Sequence, residues 1–121
     1  MTTIVLWVED LPLASNFYCN LLAADAVDVS NEFVRVTSAQ NEVLLHAVPE
    51  KYRVGLPDVA RAREEAVIKP VFSIDSIDRA RQAVVENGGV VYGVDKENRY
   101  GSTTYCDGFD PEGNVFQLAQ R

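Results

Sequence analysis

An α+β fold is predicted, in which two βαβββ modules form a curved, cup-shaped mixed sheet with helices on the convex face. Three observations predict it. Short segments of apolar residues alternate with period two, as half-buried strands do. Two other segments place apolar residues three and four apart, as helices covering a core do. The order strand, acidic turn, amphipathic helix then occurs twice: sliding the chain along itself superposes Val8 on Ile74, Glu9 on Asp75, Leu11 on Ile77 and Ala14 on Ala80.

The first copy opens with a strand from Thr3 to Val8, in which Ile4, Leu6 and Val8 share one face and Thr3, Val5 and Trp7 the other. Asp10 is suited to cap the helix that follows, with Pro12 in its first turn, and Leu11, Ala14, Phe17, Tyr18 and Leu21 make its apolar stripe. Strands are then expected at about 25–29, 32–38 and 42–48, separated by Asn31-Glu32 and Gln40-Asn41. The second copy places Phe72 and Ile74 on the first face and Lys69, Val71 and Ser73 on the second. Ser76 caps a helix striped by Ile77, Ala80, Ala83 and Val84, and Gly88-Gly89 stops it. Strands are expected at about 90–94, 103–109 and 114–119, with turns at 96–98 and Asp110–Asn114. Module one covers about 1–49 and module two about 66–121. The charged connector between them, about 50–65, is expected to hold at most a helical turn near Val59–Glu65. Neither half is long enough to bury its own sheet, so the two combine into one domain whose uncovered sheet face forms a cleft.

Composition limits the function. The chain has 121 residues, 47% hydrophobic and 24% charged, with a formal charge of −7. An acidic chain of this kind is a poor partner for nucleic acid or anionic membrane, both of which need basic patches. No apolar run approaches a membrane span, and the N-terminus lacks a basic leader, so a cytoplasmic protein is expected. Cys19 and Cys106 are then expected as free thiols. Phosphate loops, dinucleotide fingerprints, serine elbows and Cys-x-x-Cys pairs do not occur.

Three stretches together resemble the vicinal oxygen chelate superfamily, which includes glyoxalase I, bleomycin-resistance proteins and extradiol dioxygenases. They are Leu6 to Tyr18, Val71 to Asp78, and Tyr100-Gly101 followed by Asp110-Pro111-Glu112-Gly113-Asn114 and the strand to Leu118. The resemblance implies a cup-shaped site, commonly in a homodimer, in which His and Glu residues from four strands hold a divalent ion as Lewis acid. Carried over by position, the usual ligand slots fall on Thr3, Lys69 and Gln117, and the remaining one lies near Leu44 or His46. Thr3 is a poor ligand, a lysine ammonium has no lone pair, and Gln117 offers only a neutral carbonyl. His46 is the sole histidine.

These substitutions point to a binding protein without metal or cofactor, and leave catalysis undecided with a lean against it. A small-molecule ligand is expected in a cup lined by Thr3, Val5, Trp7, His46, Lys69, Val71, Tyr105 and Gln117, with no catalytic residue named. Trp7 is placed to stack on a flat ligand, and Lys69 with Gln117 to bond an anionic or carbonyl group. Each has a plainer reading: Trp7 in an interface or the core, Lys69 reaching solvent or pairing with a neighbouring acid, His46 as a polar strand residue. Drug sequestration is one version; the net charge favours a cationic drug, and Lys69 argues against one. The alternatives are a metal-dependent lyase, isomerase or dioxygenase with an atypical site, and an interaction module whose cup is filled by protein.

Overall fold

The computed structural model describes residues 1–121. The elements follow in the order β1 (Thr3–Val8), α1 (Leu11–Leu22), β2 (Asp25–Val27), β3 (Phe33–Thr37), β4 (Glu42–Ala47), β5 (Val71–Ile74), α2 (Ile77–Ala83), β6 (Val90–Val91), β7 (Asn98–Tyr100), β8 (Thr103–Phe109) and β9 (Val115–Gln120). They make an α+β fold with two open mixed sheets. One has the strand order β1-β4-β3-β2, the other β5-β9-β8-β6, with β7 paired to β8. In each, the opening strand lies parallel to the last strand of its half: Val5 is opposite Leu44, and Val71 is opposite Gln117. The remaining pairings are antiparallel. The repeat seen in the sequence is therefore a repeat of topology.

Both predicted caps form. Asp10 accepts a hydrogen bond from the Leu13 N–H at 3.0 Å, and Ser76 accepts one from the Arg79 N–H at 3.1 Å. The stripe Leu11, Ala14, Phe17, Tyr18 and Leu21 is buried, as are Ile77, Ala80 and Val84. They join Val8, Val34, Val36, Val43 and Leu45 of the first sheet and Phe72, Ile74, Phe116 and Leu118 of the second in one apolar cluster. Phe17 packs on Phe116, and Tyr18 on Phe72, so α1 serves the core of both halves. Gly89 is needed here for room, because a Cβ would stand 2.3 Å from the Phe17 ring.

Several expectations are corrected. The second strand stops at Val27, since Asp28 takes a left-handed backbone (φ 51°) and turns its carboxylate to Arg35. The helix of the second half ends at Ala83, before the expected Gly88-Gly89 stop. Asn98, expected in a turn, opens the added strand β7. The connector has no helix at Val59–Glu65; its one regular piece is a 3-10 turn at Glu50–Tyr52. The reason is where its backbone donors go. The N–H groups of Val54 and Gly55 bond the Glu9 carboxylate, and that of Arg63 bonds the Gly113 carbonyl at 2.9 Å, which leaves an extended chain held from outside.

The turn Asp110–Asn114 ties the halves together. Fully buried Asp110 accepts from the Tyr18 hydroxyl at 2.8 Å, from the N–H groups of Glu112 and Asn114, and from the Asn114 side chain. Glu112 reaches across to accept the N–H groups of Glu9 and Asp10 at the β1–α1 junction. Burial, together with the nearby Asp110 charge, holds the Tyr18 phenol well above its ordinary range, so it remains a donor. Replacing Asp110→Ala strands these donors and is expected to lower the unfolding free energy by roughly 3 kcal/mol, whereas Tyr18→Phe removes one bond at about 1 kcal/mol. Urea denaturation measures both; a smaller loss for Asp110→Ala than for Tyr18→Phe contradicts the tie.

Candidate functional site

Each sheet turns one face to the helices and leaves the other open. On the first sheet, alternation and register put Thr3, Val5 and Trp7 of β1 on the open face beside Glu42, Leu44 and His46 of β4 and Thr37, Arg35 and Phe33 of β3. Val5 and Trp7 are 55% and 56% exposed, unusual for large apolar side chains in a sheet. One end of this face is aromatic. His46 lies between Trp7 and Phe33, with ring centroids at 4.8 and 5.7 Å. The other end is polar: the Thr3 hydroxyl donates to Glu42 at 2.6 Å, and Arg35 bonds Glu42 and Asp28, each at 3.1 Å.

The open face of the second sheet carries Val71, Gln117, Tyr105 and Asp107, with Lys69 just ahead of β5. Lys69 Nζ bonds Asp107 Oδ2 at 2.9 Å, and Gln117 Nε2 donates to Asp107 Oδ1 at 3.0 Å. Lys69 thus pairs with a neighbouring acid, its plainer reading, and Gln117 bonds the same carboxylate, Asp107, a residue the sequence reading did not name. Tyr105 meets Tyr100 edge-on at 6.0 Å. Cys106 points the opposite way, into the core, where burial pushes its thiol up.

The structure groups the eight predicted lining residues as Thr3, Val5, Trp7 and His46 on one sheet and Lys69, Val71, Tyr105 and Gln117 on the other. No strand pairing joins the two sheets. A cavity of about 390 Å³ lies where they approach, lined by Val5, Ile68, Pro70 and Val115 among others. A second, of about 410 Å³, is lined by Lys69, Asp107, Val115 and connector residues that include Arg63. Glu42, Asp107 and Arg63 were missed. For the first two the signal was available: Glu42 lies two residues from Leu44, and Asp107 two from Tyr105, so period-two alternation puts each on the same face. Arg63 sits in irregular chain and had no such signal.

The donor set does not fit a divalent ion. Of the ligand slots, Thr3 is committed to Glu42, Lys69 brings a positive charge bonded to Asp107, and Gln117 directs its amide nitrogen, a donor, at the same carboxylate. Nowhere do three His, Cys, Asp or Glu side chains converge as a metal site needs.

Comparison with known proteins places the chain. The family model of the Glyoxalase/Bleomycin resistance protein/Dioxygenase superfamily matches residues 1–118. No curated protein matches the chain in sequence. A glyoxalase/bleomycin resistance protein from Albidiferax ferrireducens is similar in structure at 17% identity and TM-score 0.70, over 100% of this chain and 98% of its own. The fosfomycin resistance protein FosX from Listeria monocytogenes is similar at 16% identity and TM-score 0.66, over 100% and 92%. An integron cassette protein from Vibrio cholerae is similar at 22% identity and TM-score 0.62, over 98% and 91%. At these identities the likeness concerns the fold.

The hydrogen bond from Thr3 and, after it, the charge of Arg35 hold the Glu42 carboxyl below its ordinary range. A carboxylate with a lowered folded pKa stabilises the fold above its unfolded pKa, and that contribution is lost as pH falls through the folded value. Carboxyl NMR titration is expected to show Glu42 with a low midpoint that Thr3→Val moves upward. An unchanged midpoint in the variant contradicts this assignment.

Proposed function

Because the chain belongs to the Glyoxalase/Bleomycin resistance protein/Dioxygenase superfamily, we propose that it is a metal-independent small-molecule binding protein built on that fold. The observation that carries this reading is the Lys69–Asp107–Gln117 linkage. In a metal-bearing relative these slots would present lone pairs to an ion. Here they present an ammonium and an amide N–H group, both turned to a carboxylate of the chain itself. An ion entering would meet positive charge at Lys69.

A binding role draws further support from the open faces. The Trp7, His46 and Phe33 rings form an aromatic row suited to stacking against a flat ligand, and the exposed Val5 and Val71 supply apolar surface. The same exposed side chains are surface that a second copy of the chain would cover, so the protein is read as a homodimer whose subunits together wall the cup. Drug sequestration is one use of such a cup. The rival reading, a metal enzyme with an atypical site, would draw on His46 and Gln117. Gln117 turns its amide nitrogen, a donor, to Asp107, which leaves His46 as the one imidazole available.

Protein purified without chelator and titrated with zinc, manganese, nickel and magnesium is expected to show no stoichiometric binding by calorimetry. One tightly held ion per chain overturns the metal-independent reading. Trp7 is the only tryptophan, so its fluorescence reports the aromatic row directly. An aromatic ligand is expected to quench it, and Trp7→Ala to weaken that ligand by about 1 kcal/mol. Binding that leaves both fluorescence and affinity untouched lies elsewhere. Sedimentation equilibrium is expected to give twice the chain mass of 13.4 kDa; a single-chain mass across the concentration range removes the dimer.

A further inference from the structure

The 410 Å³ cavity combines an excess of cationic residues with several apolar side chains. Its lining includes Arg63 from the connector, Val67, Ile68 and Lys69 from the chain leading into β5, and Asp107 and Val115 from the second sheet. Two cationic residues and one carboxylate therefore line the cavity, in a chain whose formal charge is −7. Asp107 is already engaged by both of its oxygens, with Lys69 and with Gln117. A lysine ammonium carries three protons, and one goes to Asp107. Arg63 takes no part in the ion pairs of the chain, which involve Arg35, Lys69 and Arg81. The cavity thus has charged donors to spare, while its one carboxylate is already in use.

The position of Arg63 is built into the fold. Its backbone N–H bonds the Gly113 carbonyl at 2.9 Å. Gly113 itself has φ +87°, and a Cβ there would stand 2.3 Å from the Arg61 carbonyl oxygen and 3.3 Å from Arg63 Cγ. The connector lies directly on the closing turn, and only glycine leaves room for it. Beside the charged groups the lining carries the apolar side chains of Val67, Ile68 and Val115, of which Val67 and Ile68 are largely exposed. The volume falls in the range of small-molecule pockets.

We propose that this cavity binds a small organic monocarboxylate with an apolar body. Its carboxylate is held by the Arg63 guanidinium and the free protons of Lys69, and its body lies against Val67, Ile68 and Val115. A planar guanidinium matches a carboxylate with two parallel hydrogen bonds, which a neutral or cationic head group cannot use. This inference rests on the small-molecule reading above and narrows it to one ligand class.

Benzoate and hexanoate serve as probes, with benzamide and benzylamine as the uncharged and cationic controls. Calorimetry and thermal shift on the full chain are expected to show binding of the two carboxylates, weakening as salt rises, and no binding of the controls. Arg63→Ala and Lys69→Met are each expected to weaken benzoate about tenfold to a hundredfold, and Lys69→Arg to retain most of the affinity. The Lys69–Asp107 pair is about half exposed, so Lys69→Met is expected to fold; an unchanged melting profile checks this. Carboxylates that bind the Arg63→Ala and Lys69→Met variants as tightly as the parent overturn the site. Benzylamine or benzamide binding in place of the carboxylates overturns the ligand class and leaves the small-molecule reading standing. Binding of none of the four overturns the carboxylate proposal, and a wider ligand panel then decides the small-molecule reading separately.

Discussion

The carboxylates of Asp110 and Glu112 sit in the core, and what they accept determines how the two halves of the chain meet. Asp110 takes the Tyr18 hydroxyl from α1 while closing its own turn, and Glu112 takes the backbone N–H groups where β1 passes into α1. Burying charge is unfavourable unless it is well bonded, so these groups tolerate little displacement. Burial pushes the Glu112 carboxyl up, and the two backbone N–H groups pull against that shift. Because β1 begins one open face and β9 follows the turn directly, the same contacts set how the two candidate binding faces stand. Gly113, inside this turn, also seats the connector and with it Arg63.

A pseudo-symmetric scaffold of this kind offers equivalent slots in both halves, and this chain has filled them unequally. Val5 opposite Leu44 in the first half corresponds to Val71 opposite Gln117 in the second. The first face has become aromatic at one end and ionic at the other; the second carries an ammonium bonded to a carboxylate and an amide. A lysine ammonium at Lys69 has no lone pair to offer and repels a cation. The fold itself accommodates either arrangement, which is why membership of the superfamily leaves the chemistry open.

Helix caps, apolar stripes and the alternation of each strand were legible in the sequence because they are set by neighbours within a few residues. Asp10, Ser76 and the burial of Phe17, Tyr18, Phe72 and Ile74 follow directly from spacing. The error in the connector fell where backbone donors find distant partners. Arg63 bonds Gly113, and Val54 and Gly55 bond Glu9, so no local rule describes that segment. Glu112 looked like a turn residue, and the N–H groups it accepts lie at the other end of the chain.

The sequence alone determined which residues face the core and which face the open side, since a period of two or of 3.6 follows from backbone geometry whatever the surroundings. It also put Thr3, Lys69 and Gln117 at the positions where the resemblance implies ligands, because residue identity needs no coordinates. The tertiary structure decided what those residues do. Only cross-strand register puts Asp107 opposite Gln117 and within reach of Lys69, and only the packing of the connector on Gly113 brings Arg63 to the same cavity. Register and packing are set by contacts far apart in the chain, so the charge of the site was hidden until the strands were placed beside one another.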